Sequence, residues 1–418
     1  MHTLMHSRHR RVLAAALIAA FALGGYALAQ QQRTAALQHQ AQRHRPEPHL
    51  TKVAPADSGF GAPLAGLTND QMLAFATGLD EFNNVETVAS GLGPIFNNSS
   101  CAACHSRPAI GGSSNIVVTR FGHRHDGHFD PLANLGGSLL QDQAIAPGAM
   151  EFVPRQANVV APRQSTALFG FGLIEAIPDQ TIIDNAAHSQ DRDIHGLPSM
   201  VTDETTGTLR VGRFGWKAQH ATLLAFAGDA YLNEMGITNR FFPTENAPNG
   251  NQALLAQYDT VADPEDVQDP VTGRSDIDAI ADFMRLLAPP PTSRGNRGGE
   301  QVFDNVGCSG CHTPTMQTGS STIAALDHKS VGLYSDLVLH DMGSLGDGIT
   351  QGMARGHDFK TPPLWGVHAS APYLHDGRAH TLDDAIRMHD GEARHARVRY
   401  THLPEEQREQ LLAFLNSI

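Results

Sequence analysis

The chain has little cysteine, few aromatic side chains and a deficit of basic residues. Only four of its 418 residues are cysteine, at Cys101, Cys104, Cys308 and Cys311, far too few for a disulfide scaffold. Thirty Lys and Arg face 43 Asp and Glu, a formal charge of −13, which excludes nucleic acid as a partner because its phosphates would be repelled. Hydrophobic residues at 41% with 40 Gly and 24 Pro describe a globular, turn-rich chain, neither disordered nor collagen-like. By the rough guide of 100 to 200 residues per domain the length predicts two or three domains.

A basic stretch, His6 to Arg11, precedes an apolar run from Val12 to Leu28 and the small-residue site Ala27-Leu28-Ala29. This predicts a signal peptide over 1–29 and a periplasmic protein. An uncleaved anchor is the alternative, since the run is nearly long enough to span a bilayer. Residues 1–29 carry three arginines and no acid, so their removal takes the charge from −13 to −16. Residues 30–66 are rich in Gln, His, Arg and Pro without apolar periodicity and predict a flexible lead-in.

Thr68 or Asn69 can cap a helix carrying Met72, Phe75 and Leu79, after which a Gly/Asn-rich turn leads to Cys101. Gly299 opens a similar short helix with Val302, Phe303 and Val306, ended by Gly307 directly before Cys308. A helix from Ser275 with Ile277, Ile280, Phe283, Met284 and Leu287 on one side stops at Pro289-Pro290-Pro291, and Pro404 begins a last helix with Leu411, Leu412, Phe414 and Leu415. Each half thus reads helix, cysteine pair, long middle, closing helix, with boundaries at 67–288 and 292–418. The longer first half holds two expected β-hairpin arms, one at Asn115 to Arg120 and one at Met200 to Phe214 turning at Thr206-Gly207.

Cys101-Ala102-Ala103-Cys104-His105 and Cys308-Ser309-Gly310-Cys311-His312 both fit the C-x-x-C-H signature of c-type haem attachment. Two thiols on one turn add to the two vinyl groups, and the next residue, histidine, is placed under the iron as proximal ligand. A zinc site built from both pairs would leave the two histidines unexplained, and a thioredoxin-like site would need a single pair in a βαβ setting. The expectation is two covalent haem c groups in a mainly α chain, two cytochrome-c-like haem domains with long loops and small β-hairpin insertions in the N-terminal half. For a sixth ligand, Thr381-Leu382-Asp383-Asp384 is a capping box. Leu382, Ala385, Ile386 and His389 follow it at i, i+3, i+4 and i+7, one buried face, with Met388 rotated about 100° away. A neutral buried histidine held by the backbone is the plain alternative to a ligand at His389.

From about Thr68 onward the chain resembles the diheme c-type oxidoreductase family, also called thiol oxidoreductases, related to bacterial diheme cytochrome c peroxidases and the diheme enzyme of methylamine utilisation. The likeness rests on the ordered segments GLGPIFNNSSCAACH, LFGFGLIEAIPD, GRFGWKAQHATL, NEMGIT, GCSGCHTP, YSDLVLHDMG and TPPLWGVHASAPYLHDGRAHTLDDAI. It implies a bis-histidine electron-transfer haem with His312 and His389, since the relatives carry a ligand at the His389 position. It implies Trp216 between the haems and Glu234 as acid and base in the distal pocket of the N-terminal haem, with Glu175 as the reserve acid. Calcium is implied through the carbonyls of Ser370 and Pro372, although the relatives' asparagine ligand is here replaced within Arg163-Gln164-Ser165-Thr166-Ala167.

The resulting expectation is a peroxidase-like oxidoreductase with an open N-terminal haem, hydrogen peroxide or a small molecule as substrate and a small redox protein or cytochrome as donor. A plain electron-transfer cytochrome, with His123, His125, His128 or His220 closing the first haem, is one competing reading. An oxygenase of an organic substrate is another. Thiol exchange has no cysteine left to perform it.

Overall fold

The computed structural model describes residues 59–418 except 188–192, 262–264 and 293–296. The expected signal peptide and most of the lead-in lie outside the described residues. The last part of the lead-in is packed chain: Phe60 and Leu64 are buried, and Leu64 N–H donates to the Leu286 carbonyl at 2.8 Å. Sparse apolar spacing concealed two anchors, Leu64 paired to the end of a helix more than 200 residues away and Phe60 packed on Phe169 and His368.

Three helices frame the first half: α1 (Asn69–Asn83), α2 (Leu223–Met235) and α3 (Asp276–Leu286). Thr68 caps α1, its hydroxyl accepting from Gln71 N–H while the Gln71 side chain accepts from Thr68 N–H, the reciprocal arrangement that satisfies two end donors. The face it buries is Phe75, Gly78 and Phe82, whereas Met72 from the expected set is exposed. Ser275 and Asp278 form the same box on α3, which buries Ile277, Ile280, Phe283 and Met284 as expected. Gly78 sits where α1 meets α3; a Cβ there would overlap the Ala279 carbonyl and crowd Phe283.

The second half repeats this crossing with α4 (Arg297–Val306) and, after α5 (Leu382–Met388), the last helix α6 (Glu405–Leu415). A Cβ on Gly299 would overlap the Gln410 carbonyl and crowd Phe414. Gly307 ends α4 in the left-handed region, φ +93, a conformation that favours glycine. The apolar core does not divide at the proline run. Leu333, Leu337, Val338 and Trp365 belong to one cluster with Phe75 and Phe283, while Val302, Phe303, Tyr400, Leu411 and Phe414 form a smaller one.

The strands are short and the described sheets small. β1 (Val117–His125) pairs with β2 (His128–Asp130), β3 (Leu139–Leu140) and β4 (Val159–Gln164), all antiparallel. The first expected arm is therefore the centre of a four-stranded sheet. Its tip is Asp126-Gly127, with φ +48 and +80, the pair of positive angles that Asp-Gly adopts at a tight hairpin turn. β5 (Ser199–Thr202) and β6 (Leu209–Gly212) form the second arm, turning at Gly207 as expected. β7 (Leu339–Asp341) and β8 (Asp358–Lys360) form a further ribbon in which Leu339 faces Lys360 and His340 faces Phe359. Among the described residues no helix is long and apolar enough to cross a membrane.

Candidate functional site

The first cysteine pair occupies a four-residue helical turn, Cys101–Cys104. His105 follows it, and its Nδ1–H donates to the Gly112 carbonyl at 3.0 Å. The ring lies 6.1 Å from that of Phe82 on α1. Burial holds its pKa below the ordinary value, so the imidazole is neutral and Nε2 keeps its lone pair. Burial also pushes the Cys101 thiol up to about 12 and the Cys104 thiol up to about 11. These are protonated groups, poor partners for thiol exchange.

The second pair has the same construction. His312 follows Cys308 and Cys311, and its Nδ1–H donates to the Tyr334 carbonyl at 3.0 Å. Burial, with His389 nearby, brings its pKa down to about 4. The Phe303 ring lies 6.4 Å away. Thr381 caps α5 by accepting from Asp384 N–H at 3.0 Å, and α5 presents Leu382, Ala385, Ile386 and His389 to one cavity of about 290 Å³ shared with His312, Cys308 and Cys311. His389 Nδ1–H donates to the Ala385 carbonyl at 2.7 Å. A ligand histidine is oriented by a hydrogen bond on its other nitrogen, and all three histidines have one. Their neutral Nε2 atoms and the four thiols are a donor set that fits two c-type haems, with His312 and His389 lining one cavity.

Trp216 lines the same cavity as His312 and His389. Its indole N–H donates to the Gln164 carbonyl at 2.8 Å, and the hydroxyl of the next residue, Ser165, donates to the Cys104 carbonyl at 2.7 Å. The tryptophan at one site is thus connected to the cysteine turn of the other by one residue of backbone and two hydrogen bonds. Around it, Phe359 and His375 stack at 4.2 Å, and both meet the indole edge-on. Lys217 is fully buried, paired with Asp347 at 3.2 Å and lying 3.8 Å from the centre of the Phe359 ring. Arg163 pairs with the same Asp347.

Glu234, near the C-terminus of α2, lies on the side of Cys104: its charge raises that thiol's pKa. Asn97 Nδ2–H donates to Glu234 Oε2 at 2.8 Å. Burial pushes the carboxyl above its ordinary range, against the pull of Arg120 and of Asn97. Glu175 is placed differently. It accepts from Arg285 at 2.7 Å and from Leu223 N–H at 2.7 Å, so it clamps α3 to the start of α2. Of the four histidines offered as closers of the first site, two are held by other groups and two are exposed. His123 bonds the Gln156 carbonyl, His125 and His128 are exposed at the β1–β2 tip, and His220 is held near Asp229 at 3.3 Å.

Several functional candidates escaped the sequence reading. Gln164 Oε1 is buried without a hydrogen-bond partner and lies against Gly377, as does Pro372. His340 is held between Asp336 and Glu392, each at 2.7 Å, beside Cys311 Sγ at 3.8 Å. These carboxylates keep His340 protonated against its burial, up to about 12. Asp336 lies four residues before His340 within YSDLVLHDMG, whereas Glu392 comes from a segment 52 residues on.

Comparison with known proteins places the chain among di-haem proteins. A family model described as "Di-haem oxidoreductase, putative peroxidase" matches residues 153–418. Cytochrome c peroxidase Ccp of Escherichia coli is 27% identical over 224 residues, 49% of this chain and 44% of that protein; the chain therefore spans less than half the length of that curated relative. Among solved structures, a MauG-like protein associated with microbial copper homeostasis aligns at TM-score 0.31 and 15% identity, over 60% of this chain and 88% of that one. A variant of the diheme peroxidase BthA from Burkholderia thailandensis aligns at 0.34 and 13%, over 82% and 85%. With the family model covering well over half of its length, the chain belongs to the di-haem oxidoreductase family.

Proposed function

We propose that this protein is an exported, periplasmic diheme c-type oxidoreductase of peroxidase type, with two cytochrome-c-like units, 67–288 and 292–418, in different roles. The observation that carries the reading is the contrast between the histidine sites. His312 shares its cavity with His389, whereas His123 and His220 are held by Gln156 and Asp229 and His125 and His128 are exposed at the β1–β2 tip.

Cys101 and Cys104, and Cys308 and Cys311, would hold the two haems by thioether bonds, with His105 and His312 offering Nε2 from below and His389 closing the second. The bound groups supply redox-active iron. Glu234 serves peroxide at the open site. Asn97 fixes Oε2, leaving Oε1 to take a proton from one peroxide oxygen and return it to the other, the general acid–base work of a buried carboxyl. Trp216 relays electrons between the sites, and a small redox protein or cytochrome supplies them. Gln164 Oε1, with the Ser370 and Pro372 carbonyls, offers oxygens for calcium. Gln164 would replace the relatives' asparagine, and water would complete the six or more ligands calcium requires.

The test is ferric EPR with peroxide assays on the purified protein. One high-spin and one low-spin haem, and peroxide consumption with a reduced donor, are expected. Two low-spin signals that persist on partial reduction, without peroxide consumption, would leave a plain electron-transfer cytochrome. Stable dioxygen binding with an organic product would leave an oxygenase.

A further inference from the structure

Lys360, at the end of β8, is only 8% exposed and lines the cavity of His312 and His389. Among the described residues its ammonium makes one hydrogen bond, from Nζ to the carbonyl of its neighbour Thr361 at 3.2 Å, and no ion pair. The other cations on this cavity are occupied. Arg397 pairs with Asp390 at 3.4 Å, and Arg399 donates to the Val306 carbonyl at 2.7 Å. Asp336 is the carboxylate whose field reaches Lys360, but its oxygens serve His340 Nε2 at 2.7 Å and Val338 N–H at 3.2 Å. A buried ammonium with one neutral acceptor is costly, and an anion brought into the cavity relieves it.

We infer that Lys360 is the counter-ion for a carboxylate of the C-terminal haem, a propionate seated on the Lys360 side of the cavity. The inference rests on the diheme reading. It assigns a task to a lysine that the bis-histidine ligation leaves without one. Because Leu339 pairs with Lys360 across the ribbon and Lys360 N–H donates to the Trp216 carbonyl at 2.9 Å, the ammonium is anchored on regular backbone between the electron relay and the second haem.

The test is the reduction potential of the low-spin haem in holoprotein carrying Lys360→Met or Lys360→Arg, with haem content checked for each. Removing a positive charge beside the haem disfavours the added electron. Lys360→Met is expected to lower the reduced-to-oxidised ratio at fixed potential ~10-fold, about 59 mV for one electron. Lys360→Arg, which keeps the charge, restores most of the wild-type value. A lysine that only braces the ribbon would change unfolding without moving the potential. An unchanged potential in Lys360→Met, with both haems present, overturns the inference alone. Wild-type protein lacking haem at Cys308 and Cys311 overturns the diheme reading and this inference with it.

Discussion

The two cysteine–histidine units are built on one plan and finished differently. In each, a helix before the cysteine pair crosses a later helix at a glycine, Gly78 on Ala279 and Phe283, Gly299 on Gln410 and Phe414. Four residues after each glycine a phenylalanine stands about 6 Å from the proximal histidine ring, Phe82 at 6.1 Å from His105 and Phe303 at 6.4 Å from His312. Each histidine gives its Nδ1 proton to a backbone carbonyl. The units part company in the polar group added to each. The second has His389 directly after the end of α5, lining the cavity of His312; the first has a buried carboxyl, Glu234, steadied by an amide. On the proposed reading the shared plan would hold a haem, and the added group would decide what that haem does.

Removing the carboxyl should have the largest effect. Glu234→Gln keeps the shape and the cysteine turn but cannot carry the proton, so peroxide turnover is expected to fall about 10²–10⁴-fold with both haems retained. The pH profile carries the sign. Burial raises the Glu234 pKa, so the base form is lost as pH falls through a value above the ordinary carboxylate range, and turnover falls with it. The Gln variant should show no such acid limb. An unchanged rate would assign the proton to another group.

Making the second unit resemble the first is the next largest change. His389→Ala should abolish the low-spin ferric signal of the C-terminal haem and lower donor-supported turnover at least about 10-fold, as disturbing the surroundings of a metal ligand does. Survival of the low-spin signal would show that a different side chain closes that haem.

The crossings themselves can be compared by Gly78→Ala and Gly299→Ala. Alanine favours helix over glycine by about 1 kcal/mol, but at both positions its Cβ would meet a backbone carbonyl that cannot move independently. Overpacking of about 1–3 kcal/mol or more should prevail, lowering the denaturant midpoint of both variants. If only one is destabilised, the two crossings are not equivalent in the holoprotein.

What could be read from the letters was whatever is local. Both C-x-x-C-H pairs, the Thr381 cap that sets the phase of His389, the closing helices and the second hairpin all depend on spacings within about a dozen residues, and helical periodicity carries such information. The pattern on α1 was misphased because Met72 and Leu73 are exposed while Gly78, without a side chain, is buried. Contacts between distant segments were beyond reach. Glu175 looked like a spare pocket acid until its partner Arg285, 110 residues on, was placed beside it. Lys360, Gln164 and the carboxylates around His340 acquire meaning only when the ribbon, the sheet and the cysteine turns meet. Asp126-Gly127 is a different case: its turn signal was legible, and following it would have lengthened the first arm.

The smallest expected effect is at Ser165, whose hydroxyl joins the Cys104 carbonyl to the chain that supports Trp216. Ser165→Ala removes two neutral hydrogen bonds, to the Cys104 carbonyl and with the Ser114 hydroxyl at 3.1 Å, each worth about 1 kcal/mol, while the Trp216 N–H to Gln164 contact and the Gln164 N–H to His375 carbonyl bond at 2.7 Å remain. The backbone route between the units is therefore intact, and turnover with a reduced donor should fall less than Glu234→Gln makes it fall, by well under 10-fold. A collapse as large as that of Glu234→Gln, at full haem content, would mean that this hydroxyl is the coupling between the two units, and that the unequal finishes of the histidine sites matter less than the bridge between them.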